Sequence, residues 1–184
     1  MEQMPGDILE KSATPGPVTG DTPTGAGDGG SGSSVVSDPG AIIAGLRGEM
    51  DRVCLTNDSS CICIVSPDGT TDDVLMEILG AWITARLRSN DALYRIAPDK
   101  YLVMLRQIER DEAVGFIKSL REQVISQPVP SPGGNQQANT TASFGGTMLD
   151  PLTPLHEHMD RASEAHDWAL KGMGDTICMW TPRF

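Results

Sequence analysis

Two charged residues three positions apart, Arg88 and Asp91, are the side chains whose types and spacing best allow binding chemistry. A guanidinium presents a planar fork of N–H donors that can meet a phosphate or the acceptor edge of a base, and a carboxylate can accept N–H donors. This is the only Arg-x-x-Asp in the sequence. The alternative interpretation is a solvated helix end followed by an acidic turn residue.

Cysteine and histidine, which often bind metals or act in catalysis, form no recognisable pattern. Cys61 and Cys63 would share one face of a strand, and no Cys-x-x-Cys pair is present. We expect all the cysteines, including Cys54 and Cys178, to be buried structural thiols. The histidines share no helix face, because positions two apart lie about 200° apart around a helix. They are His156, His158 and His166. The sequence therefore predicts no metal site.

Composition divides the chain into two parts. The sequence has 184 residues, with 20 Gly, 13 Pro and a net charge of -11. The first 40 residues hold nine Gly and five Pro, and no aromatic residue precedes Trp82. Residues 1–37 are therefore predicted to be a disordered tail, because burial of so few apolar side chains cannot offset the entropy of ordering them. Residues 38–184 are predicted to form one folded domain.

Charge and apolar patterning exclude several functional classes. The N-terminal tail is acidic and lacks the basic start and apolar run of a secretory signal. No apolar run reaches the roughly 18 residues that a membrane-spanning helix needs. A net acidic chain without a Lys/Arg stripe also argues against DNA or RNA binding. We therefore expect a soluble cytoplasmic protein that neither inserts into a membrane nor binds DNA or RNA.

The elements that must position Arg88 and Asp91 begin at Asp38, which precedes Pro39 and an apolar pattern of helical spacing. Residues 61–65 have the length and β-branched content of a central strand. Thr70 then opens a helix that we expect to end near residues 88–90, so that Arg88 lies at a helix C-terminus, where the dipole favours a cation. Its predicted buried face comprises Val74, Leu75, Ile78, Leu79, Trp82, Ile83 and Leu87.

The second half of the chain predicts a hairpin and two more helix–strand steps. Residues 92–96 and 101–105 form the hairpin, and Asp111 caps the next helix. A loop at 126–139, a strand at 140–149 interrupted by Gly145 and Gly146, a helix near 154–170 and a strand at 176–180 follow. The alternation predicts an α/β (α+β) fold with a central, mostly antiparallel sheet, a βαββαβ core, and helices on one or both faces.

This layout resembles the GGDEF family, whose enzymes join two GTP molecules into cyclic di-GMP, over roughly residues 40–180. Arg88 and Asp91 stand where the family has an Arg-x-x-Asp pair, between counterparts of its helix-opening Asp (Asp73) and of the Arg before its signature (Arg95). The signature position falls on Ala97-Pro98-Asp99-Lys100-Tyr101. Thr141-Ala-Ser-Phe-Gly145 also resembles the family's Thr-x-Ser-x-Gly strand.

The resemblance implies that the catalytic site is degenerate. Family enzymes use acids at the third and fourth signature positions, and an Asp at the end of the first strand, to hold two divalent cations. Here Asp99 keeps only the third position, Lys100 places a cation at the fourth, and Ser66 ends the strand. Pro98 also removes a backbone N–H, and the segment that recognises guanine is missing before Asp73. We therefore expect no catalytic residues, no cofactor and no enzyme activity; an active enzyme with unusual residues is a lesser hypothesis.

The Arg-x-x-Asp pair resembles the family's inhibitory site, which binds two stacked cyclic di-GMP molecules. Arg88 could meet guanine O6 and N7, and Asp91 could accept from guanine N1–H and the N2 amino group. The resemblance places a further Arg near Ser119, where the nearest candidate auxiliary cations are Lys118 and Arg121.

Two functions follow as hypotheses. The first is a non-catalytic receptor for cyclic di-GMP, a bacterial second messenger linked to biofilms, that relays binding to a second copy of itself or to a polysaccharide-synthesis or signalling complex. The alternative is a ligand-independent interaction module that docks onto such a complex or onto a true cyclase, with the tail as a flexible tether.

Overall fold

The computed structural model describes residues 35–69, 72–130, 137–172 and 174–181. The elements in chain order are β1 (Val35–Val36), α1 (Pro39–Thr56), β2 (Ser60–Pro67), α2 (Asp73–Thr84), β3 (Ala92–Ala97), β4 (Lys100–Leu105), α3 (Arg110–Ser126), β5 (Pro128–Pro130), β6 (Gln137–Asn139), β7 (Ala142–Leu149), α4 (Leu155–Lys171) and β8 (Ile177–Met179).

The main sheet of the described residues has the strand order β1-β3-β4-β2-β7-β8, and β5 pairs separately with β6. The inner pairings, β3 with β4, β4 with β2 and β2 with β7, are antiparallel. The outer pairings, β1 with β3 and β7 with β8, are parallel. The predicted α/β fold with a mostly antiparallel sheet is therefore confirmed, with β2 in its interior.

Strand β2 is buried along its whole length because helices cover both faces of the sheet. Its residues Cys61, Cys63 and Val65 pack into a core that includes apolar side chains of α2 and α3. Its residues Ile62 and Ile64 belong to a second core with α1 and α4. Because successive side chains of a strand point to opposite faces of the sheet, β2 contributes to both apolar cores.

The start of the domain differs from the prediction. Val35 and Val36 pair with Leu93 and Tyr94 of β3, so the folded part extends beyond the predicted boundary at residue 38. Residues 1–34, on which the rest of the predicted tail falls, lie outside the described residues. Asp38 caps α1 as expected, because its carboxylate accepts the backbone N–H of Ala41 at 2.7 Å.

Helix α2 ends earlier than predicted. It ends at Thr84, so the prediction that Arg88 lies at a helix C-terminus is wrong, and the dipole contributes little at that distance. The cap at its start is Asp72, whose carboxylate accepts the N–H of Leu75 at 2.7 Å. Thr70, the predicted cap, lies outside the described residues.

The buried face of α2 is also turned relative to the prediction. Val74 is exposed, whereas Met76 and Gly80 are buried. Tyr101 of β4 lies against this face, and its hydroxyl donates to the Met76 carbonyl at 2.8 Å. A Cβ at Gly80 would lie 2.7 Å from that hydroxyl oxygen, so glycine makes room for the tyrosine.

Four smaller predictions are wrong. Glu109 rather than Asp111 occupies the N-cap of α3. The predicted loop at 126–139 contains the β5–β6 pair. Cys54 is exposed and Cys178 is only partly buried. Strand β7 continues through both of its glycines.

Among the described residues, no helix has the length and apolar content needed to cross a membrane.

Candidate functional site

The first candidate site is the β3–β4 hairpin, which carries the signature position. Ala97 pairs with Lys100, so only Pro98 and Asp99 link the two strands. Arg95 donates through Nη2 to Asp73 Oδ1 at 2.7 Å and to the Pro98 carbonyl at 2.8 Å. Arg95 therefore fastens the hairpin to the start of α2, while Asp99 is exposed.

The end of β2 lies near this hairpin and carries a neutral pair in place of a carboxylate. A hydrogen bond of 2.8 Å joins Ser66 Oγ to His166 Nε2, and both residues are buried. Burial, and then the positive charge of Lys100, lower the pKa of His166. In the described part of the chain, no group of three or more His, Cys, Asp or Glu side chains could hold a metal ion.

Asp68, in the turn after β2, is engaged in holding other elements. Its Oδ1 accepts from the Ser143 hydroxyl at 2.7 Å, and its Oδ2 accepts from the Asp175 N–H at 2.7 Å. Gly174 lies against it with a φ of +76°, where a Cβ would come within 2.7 Å of the carboxyl carbon. Asp68 therefore ties β7 and the turn before β8 to the end of β2.

The second candidate site is the loop of residues 88–91, here called the Arg88 loop, between α2 and β3. Asp91 Oδ2 accepts from the Arg88 backbone N–H at 3.0 Å and from Arg88 Nε at 3.2 Å. Asp91 Oδ1 accepts from the Arg106 N–H at 3.0 Å, and Arg88 Nη2 donates to the Arg106 carbonyl at 2.9 Å. The Asp91 side chain is 0% exposed, whereas that of Arg88 is 48% exposed.

This geometry separates the roles of the two residues. The sequence predicts that Asp91 accepts from guanine, but both of its oxygens already accept hydrogen bonds within the protein. Arg88 Nη1, by contrast, makes no hydrogen bond within the part of the chain that the structure describes, and it carries two N–H donors. Arg88 therefore keeps donors that the described protein does not use, and Asp91 holds Arg88 in position.

The predicted auxiliary cations lie on α3. Arg86 Nε donates to Gln123 Oε1 at 3.0 Å, which marks the face of α3 that meets the end of α2. Arg121 lies about 200° around the helix from Gln123, and its guanidinium forms an ion pair with Asp175. Lys118 is exposed and lies about 140° from Gln123. Neither cation shares the face of α3 that Arg86 contacts.

Sequence reasoning missed Arg106, which follows β4, and Glu49 of α1. Arg106 Nη1 donates to the Asn90 carbonyl at 2.7 Å, and its Nε lies 2.9 Å from Glu49 Oε2. Glu49 is buried between Leu46 and Met50 on the apolar face of α1. A charged residue inside an apolar helix stripe is the sequence signal that could have identified Glu49 as a buried, paired group, but it does not identify the partner.

Glu49 is stabilised as a carboxylate. Burial alone would raise its pKa, but hydrogen bonds from Arg52 and Ser60, together with the charges of Arg52 and Arg106, hold the pKa below its ordinary value of 4.5. Oε1 accepts from Arg52 Nη2 at 2.7 Å and from the Ser60 hydroxyl at 2.5 Å. The buried charge is therefore compensated from several sides.

We expect the domain to lose stability as the pH falls below 4.5 and through the lowered pKa of Glu49. A carboxyl group with a lower pKa in the folded than in the unfolded state stabilises the fold above its unfolded pKa and loses that contribution on protonation. Glu49→Gln should therefore melt at a lower temperature at neutral pH and decline less steeply in acid. Melting curves across this pH range test it; parallel declines would assign the acid sensitivity to other carboxylates.

Comparison with known proteins identifies the family. Residues 68–175 match the family model described as diguanylate cyclase, GGDEF domain. The GGDEF domain of DgcB from Caulobacter crescentus, solved with c-di-GMP, superposes with a TM-score of 0.73 at 14% identity, over 80% of this chain and 89% of that one. Diguanylate cyclase SiaD from Pseudomonas aeruginosa, solved with its activator SiaC, gives 0.70 at 20% identity, over 78% and 61%.

The GGDEF domain of FimX from Pseudomonas aeruginosa gives a TM-score of 0.68 at 14% identity, over 85% of this chain and 98% of that one. Comparison with curated protein sequences gives no match. At these identities the structural likeness establishes the fold, and the family model covers more than half of the sequence. The chain therefore belongs to the GGDEF domain family.

Proposed function

We propose that this domain is a non-catalytic receptor for cyclic di-GMP, which binds at the Arg88 loop and whose binding is passed to a protein partner. The observation that carries the proposal is the half-exposed Arg88 guanidinium, whose orientation Asp91 and the Arg106 carbonyl fix. A cation that is already positioned loses little conformational entropy when a ligand binds.

The net negative charge of the protein makes binding of an anionic ligand depend strongly on Arg88. Cyclic di-GMP is a dianion, and the whole chain carries a net charge of -11. Attraction must therefore come from a local cation rather than from the overall field. The two N–H donors of Arg88 Nη1 suit a phosphate oxygen or a guanine acceptor, and the flat guanidinium face suits stacking on a base.

The related structures support the classes of ligand and partner. The DgcB domain was solved in complex with c-di-GMP. SiaD was solved in complex with an activator protein. By likeness, these complexes support a cyclic dinucleotide as the ligand of this domain and a protein as its partner.

The non-catalytic part of the proposal rests on the end of β2 and the neighbouring β3–β4 hairpin. The position that would need a metal-binding carboxylate holds the buried Ser66–His166 pair, and Lys100 contributes positive charge there. Divalent cations such as Mg²⁺ require oxygen ligands, usually carboxylates, and an ammonium nearby opposes their binding.

Titration calorimetry on the full chain with micromolar cyclic di-GMP tests the proposal. We expect binding heat with the wild type, none with Arg88→Ala, and wild-type heat with Arg47→Ala, which removes the same charge from an exposed position on α1. Incubation with GTP and Mg²⁺ should yield no cyclic di-GMP. The receptor function is wrong if the wild type gives no heat or if Arg88→Ala gives the same heat; product formation would refute the non-catalytic role.

A second candidate function, a ligand-independent interaction module, is favoured by one feature of the α4–β8 edge. A groove of about 220 Å³ there is lined by Ala165, Trp168, Met179 and Trp180, among others. Trp168 is half exposed and contributes apolar surface to this groove together with its neighbours. Partner capture that persists in Arg88→Ala and in cells without cyclic di-GMP would favour this function over the receptor.

A further inference from the structure

Arg106 holds the Arg88 loop from two directions. Its backbone donates to Asp91 Oδ1 at 3.0 Å and accepts from Arg88 Nη2 at 2.9 Å. Its guanidinium donates to the Asn90 carbonyl at 2.7 Å. Three of the four residues of the loop therefore bond to this one residue, which lies 15 positions after Asp91 in the chain.

The same guanidinium also forms an ion pair with helix α1: Arg106 Nε lies 2.9 Å from Glu49 Oε2, although its N–H makes no hydrogen bond within the described residues, so the contact is one of charge. Glu49 is only 2% exposed, and its other oxygen accepts hydrogen bonds from Arg52 and Ser60. Glu49 is thus fixed within the core, and it restricts the position of the Arg106 side chain.

We infer that Arg106 is a positioning residue of the proposed dinucleotide site, and that its contact with Glu49 couples the Arg88 loop energetically to helix α1. The ligand part of this inference rests on the proposed function. If Arg106 is released from Glu49, it holds the Asn90 carbonyl less firmly, and the Arg88 loop becomes more mobile. A ligand must then order the loop as it binds, which weakens affinity.

The coupling works in both directions. A ligand that binds only the ordered loop strengthens the Arg106–Glu49 contact and so stabilises the packing of α1. In return, that packing favours the ligand. The two effects have the same free energy, because coupling between two sites is reciprocal. The contact therefore links the proposed dinucleotide site to the packing of helix α1 on the sheet.

The test is a double-mutant cycle read by cyclic di-GMP affinity. We expect Glu49→Gln and Arg106→Gln each to weaken binding by about tenfold, and the double variant to bind no worse than the weaker single variant, because both changes break one contact. Arg106→Lys should recover part of the affinity, since it keeps the positive charge beside Glu49. The matched control is Arg161→Gln with Glu157→Gln, an Arg–Glu pair at 2.6 Å on α4, which should leave affinity unchanged.

Hydrogen exchange of the amides of residues 88–91 in the free protein gives a second, ligand-independent measurement. Exchange should be faster in Glu49→Gln than in Glu157→Gln; if Glu49→Gln does not fold, Glu49→Asp, which keeps the charge but shortens the reach to Arg106, replaces it. Wild-type affinity in both glutamine variants, or additive losses in the double variant, would overturn the coupling while leaving the receptor function intact. If the wild type does not bind cyclic di-GMP at all, the proposed function fails and the exchange rates decide: equal rates would refute the coupling.

Discussion

Replacing Gly145 with alanine is expected to abolish cooperative folding of the domain. Gly145 lies in β7, paired with Ile64 of β2 and Cys178 of β8. A Cβ at this position would lie 2.0 Å from the backbone nitrogen of His166 and 2.2 Å from its Cα. Because these atoms belong to the backbone of α4, no side-chain rotation can relieve the clash.

Helix α4 must move away from the sheet to accept that methyl group. Its buried face includes three alanines, Ala162, Ala165 and Ala169, which allow a close approach beside the buried His158 and His166. Overpacking of a core costs about 1–3 kcal/mol where side chains can adjust, and a clash with fixed backbone costs more. Since the whole domain is stabilised by about 5–15 kcal/mol, we expect Gly145→Ala to lose most of its folded population.

Denaturant unfolding followed by circular dichroism measures this effect, and two other glycines serve as controls. At Gly48 in α1 and Gly115 in α3, an added Cβ would meet no atom within 4 Å. Gly48→Ala and Gly115→Ala should raise the free energy of unfolding by about 1 kcal/mol each, the usual helix preference of Ala over Gly. A cooperative transition of Gly145→Ala at the wild-type midpoint would contradict the packing of α4 on β7.

Local patterns predicted most elements of the fold because their causes lie close together in sequence. Asp38 before Pro39 marks the start of α1, and the short apolar run from Cys61 marks β2. The errors arose where a distant residue decides the outcome. On α2, Gly80 lies against Tyr101 of β4, a strand distant in sequence, whereas Val74 is exposed. The sequences of β5 and β6 carry no apolar stripe. Backbone pairing joins the two strands, and no local side-chain pattern reveals it.

The candidate site was also predicted only in part: features set by neighbouring residues could be read from the sequence, and features set by distant residues could not. The spacing of Arg88 and Asp91 could be read from the sequence, and the structure places the two side chains in contact. That Asp91 is buried and engaged depends on the Arg106 N–H, which the hairpin brings back to the loop. No local motif links Arg106 to Glu49, so only the fold reveals the contact.

Replacing Arg88 with lysine is expected to weaken cyclic di-GMP binding by at least about tenfold, although the positive charge is kept. One guanidinium serves three directions at once: Nε bonds to Asp91, Nη2 to the Arg106 carbonyl, and Nη1 carries the donors left for a ligand. A lysine has three donors on a single nitrogen. If that nitrogen pairs with the buried Asp91 carboxylate, it is withdrawn from the ligand; if it meets the ligand, Asp91 loses its partner.

The expected loss follows from the contribution of hydrogen bonds to charged groups, about 1.5–3 kcal/mol, where 1.4 kcal/mol corresponds to tenfold in affinity. Calorimetry should show the loss, while thermal melting should stay near the wild-type value because the backbone donors to Asp91 remain. Arg47→Lys at an exposed position is the matched control and should bind normally. Equal affinity in Arg88→Lys and the wild type would mean that charge alone recognises the dinucleotide, and the positioned guanidinium would then have no role in recognition.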